Sequence, residues 1–247
     1  MKVRFLGSNG WYDSATGNTV CVLVETKDRY IILDAGNGFY KIDRYINKNK
    51  PINLFLSHFH LDHIIGLHIL DKFNFHKGID IFGPKGLRKV FKLIINRPYS
   101  KPIKDIKTKI RLHELVDGKT SLDNIEFKRL RHTVDCLGYR FNFDDKVLAY
   151  CTDTGICKNL YDLAKGADLL ITECSYLPGQ TDEKWPHLNP EDSARIAKKA
   201  KVGKLMLLHF DAASYPTFKE RSQAEACAKS IFKNSKAVKD GAVEIIK

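Results

Sequence analysis

The order of its strand-like and helix-like patterns constrains this 247-residue chain more than any other feature. Short apolar or alternating runs with strand character fall at 3–6, 20–25, 30–34, 53–57, 80–82, 125–131, 139–143, 147–152, 169–173, 204–209 and 243–246, most bounded by Gly, Asp or Pro. Helical patterns are fewer. Leu87, Val90, Phe91, Ile94 and Ile95 recur at i, i+3, i+4, i+7 and i+8, with Arg88, Lys89 and Lys92 between them, which describes an amphipathic helix covering a sheet. Two more are expected over 190–201, with Asn189 as N-cap and Pro190 in the first turn, and over 220–233. Because strands come in groups between these helices, a simple alternating parallel sheet is excluded. Two sheets packed face to face with helices outside each, a four-layer αββα sandwich of mixed α/β (α+β) class, fit the order better. At this length the chain can bury a sizeable core as one domain over 1–247, its two halves joining near 116–124.

Composition narrows the function classes. The six cysteines, at 21, 136, 151, 157, 174 and 227, sit mostly in apolar runs and form no CxxC pair, so buried thiols are expected rather than a zinc ribbon or a disulfide framework. No apolar run approaches the roughly 20 residues that span a bilayer, and the opening residues alternate as a strand instead of forming a basic-then-apolar leader. A cytoplasmic protein without membrane contact is expected. The formal charge of +12 favours an anionic partner, although lysine-rich surfaces also serve solubility alone. Residues 85–111 carry ten Lys and Arg against Asp105 only, and the stretch from Lys85 to Arg111 is a candidate nucleic-acid contact; the solvated face of a helix accounts for its first charges equally well.

Chemistry concentrates in the run Ser57-His58-Phe59-His60-Leu61-Asp62-His63, which follows the apolar strand at 53–56. Three imidazoles and a carboxylate where a strand ends and a helix begins converge naturally on a metal ion, whereas clustered histidines without metal would repel one another when protonated.

This run resembles the HxHxDH motif of the metallo-β-lactamase superfamily. His132 before Gly138-Tyr139, Asp153 in Cys151-Thr152-Asp153-Thr154-Gly155, and His209 before Phe210-Asp211 are similar to that superfamily's later metal motifs in its ribonuclease Z branch, and each follows an apolar strand. The resemblance covers the whole chain and implies the metallo-β-lactamase fold. It also implies two divalent metal ions, zinc first, with Mn2+ or Fe2+ in its place. His58, His60 and His132 would hold one ion, Asp62, His63 and His209 the other, and Asp153 would bridge them. A water between the ions then loses a proton near neutral pH and attacks as hydroxide, with Asp62 orienting it. Two degraded motifs supply a proton donor by the same resemblance: His187 in His187-Leu188-Asn189 as general acid, and Glu173 in Thr172-Glu173-Cys174 as its orienting partner. Asp34-Ala35-Gly36 resembles the superfamily's structural turn, whose aspartate supports the ligands from behind. Trp11 and Tyr12, in the loop after the first strand, could stack on a substrate ring or pack on their own loop.

The expected function is a phosphodiesterase acting on a small molecule or RNA. Transfer-RNA 3′-processing endonucleases of the same branch carry a long arm, in one form between the third histidine and the bridging aspartate. Here only 20 residues separate His132 from Asp153, which makes that activity the second choice. Hydrolysis of a lactone or thioester is the third, and a metal-free nucleic-acid-binding module is the reading in which the chain is no enzyme. A homodimer is compatible with all of them.

Overall fold

A computed structural model describes residues 1–116 and 123–246. Its strands are β1 (Lys2–Gly7), β2 (Asn9–Gly10), β3 (Cys21–Glu25), β4 (Tyr30–Leu33), β5 (Ile52–Phe55), β6 (Ile79–Pro84), β7 (Ile110–Leu115), β8 (Ile125–Arg129), β9 (Leu137–Phe143), β10 (Lys146–Cys151), β11 (Leu169–Glu173), β12 (Lys204–Leu208), β13 (Phe210–Asp211), β14 (Ser235–Ala237) and β15 (Val243–Ile245). Helices are α1 (Leu61–Ile64), α2 (Leu87–Ile94), α3 (Lys158–Ala164), α4 (Pro190–Lys199) and α5 (Phe218–Ile231), with longer 3-10 segments at Asn37–Arg44 and Ile65–Lys72. One sheet runs β15-β1-β3-β4-β5-β6-β7 and the other β14-β12-β11-β10-β9-β8.

The period of two along each strand builds the layers. Val22 and Val24 of β3, Ile31 and Leu33 of β4, and Phe55 of β5 point to one buried cluster, which they share with Tyr139 and Phe141 of β9, Leu148 and Tyr150 of β10, and Met206 and Leu208 of β12. Phe55 meets Tyr139 and Phe141 across the gap between sheets, at ring-centroid distances of 5.3 and 5.1 Å. The alternate residues face outward into two further clusters. Leu23, Ile32 and Leu54 pack with Leu67, Leu70, Leu87 and Phe91 on one side, while Ala149, Leu170 and Leu207 pack with Leu160, Leu163, Ile196 and Ala224 on the other. Helix, sheet, sheet and helix thus follow one another, each buried on the faces that its sequence makes apolar.

Each strand and helix read from the sequence is present, with ends shifted by one or two residues. Asn189 caps α4 by accepting from the Asp192 N–H at 2.8 Å, and Pro190 occupies its first turn. Asp144 and Asp145, both at positive φ (54° and 58°), make the tight β9–β10 hairpin. The sequence pattern does not show the edge strand β7, the short α3, or the two- and three-residue strands β2, β13 and β14. The expected helix accounts for the first part of the 85–111 stretch, as α2; the rest contains a 3-10 turn, Ile103–Asp105, and the start of β7. The join expected near 116–124 falls mostly on residues 117–122, outside the described residues. No helix among the described residues is long and apolar enough to cross a membrane.

Candidate metal centre

All the candidate ligands come to one end of the two sheets, on the connections that leave strand C-termini. His58 and His60 lie between β5 and α1, Asp62 and His63 in α1, His132 beyond β8, Asp153 beyond β10 and His209 immediately after β12. Ligand atoms of His58, His60 and His132 lie within 4.8 Å of one another, as do those of His58, His63 and Asp153, and those of Asp62, His63 and His209. Asp153 stands between the groups. One of its oxygens is 2.6 Å from His63 Nε2 and 3.5 Å from His58 Nε2, and the other is 3.0 Å from His209 Nε2. Asp62 Oδ2 is 3.2 Å from His209 Nε2 and 3.6 Å from His63 Nε2. His60 Nδ1 and His132 Nε2 face each other at 3.3 Å.

The surroundings decide which ring nitrogen each histidine presents. Asp34 Oδ2 accepts the His63 Nδ1–H at 2.9 Å, so the Nε2 edge of His63 faces the site. Ser57 donates its hydroxyl to Asp34, at 3.0 and 2.8 Å from its two oxygens, and its oxygen is thereby left to accept from His58 Nδ1 at 3.0 Å. Ser175 repeats the device, donating to the His209 carbonyl at 3.0 Å and accepting from His209 Nδ1 at 2.9 Å. Tyr150 adds a 2.6 Å hydrogen bond to Asp34, across 116 residues of sequence. These contacts at Nδ1 turn the Nε2 edges of all three imidazoles into the site, and the neighbouring carboxylates raise His63 and His209, in each case against burial.

Donor chemistry fits a bound cation. His58 Nε2, His63 Nε2, His132 Nδ1 and both Asp153 oxygens are buried without a hydrogen-bond partner, which among polar atoms in a protein interior is costly unless something binds them. Burial pushes His58 well down and His132 down to about 4, keeping both imidazoles neutral, the form that coordinates a metal. Although desolvation opposes it, His209, His63 and His58 together hold Asp153 well below the usual carboxylate range. Asp34, Asp153 and His209 also adopt left-handed backbone, with φ of 56°, 49° and 51°, just past β4, β10 and β12. Such conformations cost roughly 1–3 kcal/mol each in non-glycine residues and concentrate at functional sites.

His187 and Glu173 pair at the edge of the centre, and their ligand atoms lie within 4.8 Å of one another and of those of Asp153 and His209. Both Glu173 oxygens lie 2.9 Å from His187 Nδ1, and Asp153 Oδ1 is 3.7 Å from the same nitrogen. Burial works against charging this ring, but the Glu173 carboxylate outweighs it and raises His187 to about 9. Glu173 itself is fully buried at the end of β11 and also accepts the Thr154 N–H.

The centre opens into a cleft of about 840 Å³ that His60, Asp62, Asp153, His187 and His209 share with Trp11 and Trp185. The Trp11 N–H donates to Asp62 Oδ2 at 2.8 Å, and its indole meets Tyr12 edge-on at 5.2 Å. Of the two readings of that loop, Trp11 reaches the cleft and Tyr12 packs against it. Sequence reasoning gives no role to Gly10, Ser57, Tyr150, Ser175 or Trp185. Adjacency is the signal that marks three of them: Ser57 precedes the first motif histidine, Ser175 lies two residues after Glu173, and Trp185 two before His187. His68 and His76 belong to none of the clusters of metal-ligating side chains among the described residues. In the basic stretch, Lys101 pairs with Asp71, Arg111 with Asp80, and Arg88 donates to the Leu112 carbonyl, so part of its charge is engaged locally.

A family model described as "Beta-lactamase superfamily domain" matches residues 29–210. Among curated relatives, a probable metallo-hydrolase, YhfI, of Bacillus subtilis is 26% identical, over 94% of this chain and 94% of its own. Ribonuclease Z of Thermococcus onnurineus is 24% identical, over 85% of this chain and 84% of its own. Of the solved structures, the metallo-beta-lactamase fold protein YhfI from Bacillus subtilis superposes with a TM-score of 0.81 at 23% identity, covering 98% of both chains. Human tRNase Z, short form, gives 0.78 at 21% identity over 100% of both, and a diphosphatase from the PhnP family 0.73 at 19% identity over 100% of this chain and 98% of its own.

Proposed function

Because the chain belongs to the beta-lactamase superfamily and has the metallo-beta-lactamase fold, we propose that this metallo-hydrolase is a phosphodiesterase working with two divalent cations, zinc foremost. His58, His60 and His132 would hold one ion, Asp62, His63 and His209 the other, and Asp153 both. The observation that carries the reading is the convergence of buried, unpartnered polar atoms from His58, His63, His132 and Asp153, the last of which lines an open cleft. Cations bound there would supply Lewis acidity toward a phosphoryl oxygen and make water acidic near neutral pH.

What the protein itself does in the reaction is hold groups in place and move one proton. His187 keeps its Nδ1–H on Glu173, which turns the ring's other edge to the cleft and leaves Nε2 to protonate a departing alkoxide. Glu173, fully buried, fixes that ring and favours its protonated form. Asp62 accepts from Trp11 N–H with Oδ2, which ties the first loop to the ligand set. The presence of ribonuclease Z and of a PhnP-family diphosphatase among the relatives and structural neighbours supports phosphorus–oxygen chemistry over lactone or thioester hydrolysis. Those ribonuclease Z relatives also favour RNA as the second choice of substrate, with the Lys85 to Arg111 stretch as its contact.

Metal analysis of the purified protein, with turnover of bis-p-nitrophenyl phosphate, cyclic nucleotides, lactones and transfer-RNA precursors side by side, tests the reading. About two divalent ions per chain and a chelator-sensitive phosphodiesterase rate are expected. A metal-replete protein that hydrolyses lactones and no phosphodiester would overturn it.

A further inference from the structure

The chain has two tryptophans, and both line the cleft. Trp11, 67% exposed, meets the ring of Tyr12 and none of the cluster's imidazoles. Trp185 stands on the cluster itself: it is 49% exposed, and its ring lies within 9° of parallel to His60 with centroids 6.0 Å apart. The same indole is 6.0 Å from His132 and 6.2 Å from His187, so it stands over both the candidate ligands and the candidate proton donor.

A half-exposed indole would ordinarily be free to move, but this one sits on a braced segment. Asp182 Oδ1 accepts the N–H groups of Lys184 and Trp185 at 2.8 and 3.3 Å, the Tyr176 hydroxyl donates to the Trp185 carbonyl, and Glu183 pairs with Arg131. Preorganisation of this kind lowers the entropy lost when a ligand docks.

Charge narrows the ligand further. Despite a net +12, no Lys or Arg among the described residues lines the cleft, whereas Asp62, Asp153 and Asp211 do. A polyanion would find its positive surface elsewhere, while a ligand with one negative charge needs no more than the metal centre to offset it.

Resting on the phosphodiesterase reading, we propose that Trp185 is the specificity-determining platform of the site, stacking the planar aromatic ring of a small, singly charged phosphodiester. The ring lies on the indole face while the phosphorus faces the ligand cluster, and the leaving oxygen falls toward His187.

Binding of two stable monoanions, methyl(phenyl)phosphinate and cyclohexyl(methyl)phosphinate, separates ring stacking from simple burial, because they share charge and approximate size and neither has an ester bond to hydrolyse. Calorimetry on the zinc-loaded protein is expected to show the phenyl probe binding about 10-fold more tightly, the scale of one aromatic stacking contact. In Trp185→Ala the preference disappears at unchanged metal content, and in Trp185→Phe most of it returns. Equal binding of the two probes by the wild-type protein, no measurable binding of either, or a preference that survives Trp185→Ala would each overturn the platform. Failure of the phosphodiesterase reading shows separately, as absence of phosphodiester turnover with the ring preference intact.

Discussion

Adding one methyl group at Gly10 is expected to empty part of the metal centre without unfolding the protein. A Cβ built there falls 2.4 Å from Cε1, 2.6 Å from Nδ1 and 2.8 Å from Nε2 of His209, so the imidazole must retreat. Carbon atoms pack at about 3.5 Å, which makes the required displacement roughly 1 Å. Neither partner yields easily. Gly10 is held opposite Asp211 in the β2–β13 pair, and His209 is fastened by Ser175 at both its ring and its carbonyl. Overpacking of this sort costs about 1–3 kcal/mol, which a domain of ordinary stability survives. The displaced Nε2 leaves its positions 3.0 Å from Asp153 and 3.2 Å from Asp62, and affinity for the cation on that side should fall about 10–100-fold, as for other disturbances of ligand orientation. Zinc titration against a competing chelator, with far-UV circular dichroism to establish folding, measures this. The double variant with His209→Ala supplies the internal control, since Gly10→Ala should cost nothing further once the ring is gone. Wild-type zinc affinity in a folded Gly10→Ala protein would refute the assignment of His209 as a ligand held by this contact.

Asp34→Asn should lower metal affinity about 10–100-fold, because the His63, Ser57 and Tyr150 bonds lose their shared anionic acceptor; a chelator titration indistinguishable from wild type would remove Asp34 from its supporting role. Asp153→Ala should abolish hydrolysis and reduce metal content, while His68→Ala and His76→Ala, outside the clusters, should change neither; the reverse pattern in elemental analysis would place the metal on different histidines. His187→Ala should leave the metal content unchanged and slow cleavage of an alkoxide leaving group roughly 10²–10⁴-fold, with a smaller loss for p-nitrophenolate, which departs without a proton. Equal losses on the two substrates in steady-state kinetics would make His187 a substrate-positioning group instead.

The strands are legible because burial on both faces leaves little freedom of composition. In β3, Cys21-Val22-Leu23-Val24 sends alternate residues to the inter-sheet core and to the outer helix layer, and both faces must be apolar. The edge strand β7 escapes for the opposite reason. Its residues Ile110 to Glu114 are only half-buried, and its Arg111 and His113 both reach Asp80 of β6, so the segment reads as part of a basic loop. Strands β2 and β13 have no period to read at two residues each. They exist because their partners are brought together by the rest of the fold, and local sequence carries no mark of that.

The site divides along the same line. His58, His60, Asp62 and His63 are neighbours in sequence, and their density alone announces a metal centre. His132, Asp153 and His209 are single residues at strand ends, and they acquire meaning only through their order and the resemblance that goes with it. Asp34 and Ser175 stand beside readable motifs, but which side chains they reach is not a local property. His209 approaches Asp62 across 147 residues and Tyr150 approaches Asp34 across 116, so the geometry of the centre belongs to the packing of two sheets. The backbone strain has the same origin. Aspartate tolerates the left-handed region comparatively well and gives no warning at 34 or 153, while His209 is held there by the pairing of Phe210 with Asn9 on the residue after it and by Ser175 on its ring. A ligand set held by such long-range contacts should therefore loosen when the seam between β2 and β13 is disturbed, even where no ligand is touched, which is why a glycine rather than a histidine is the sharper probe of this centre.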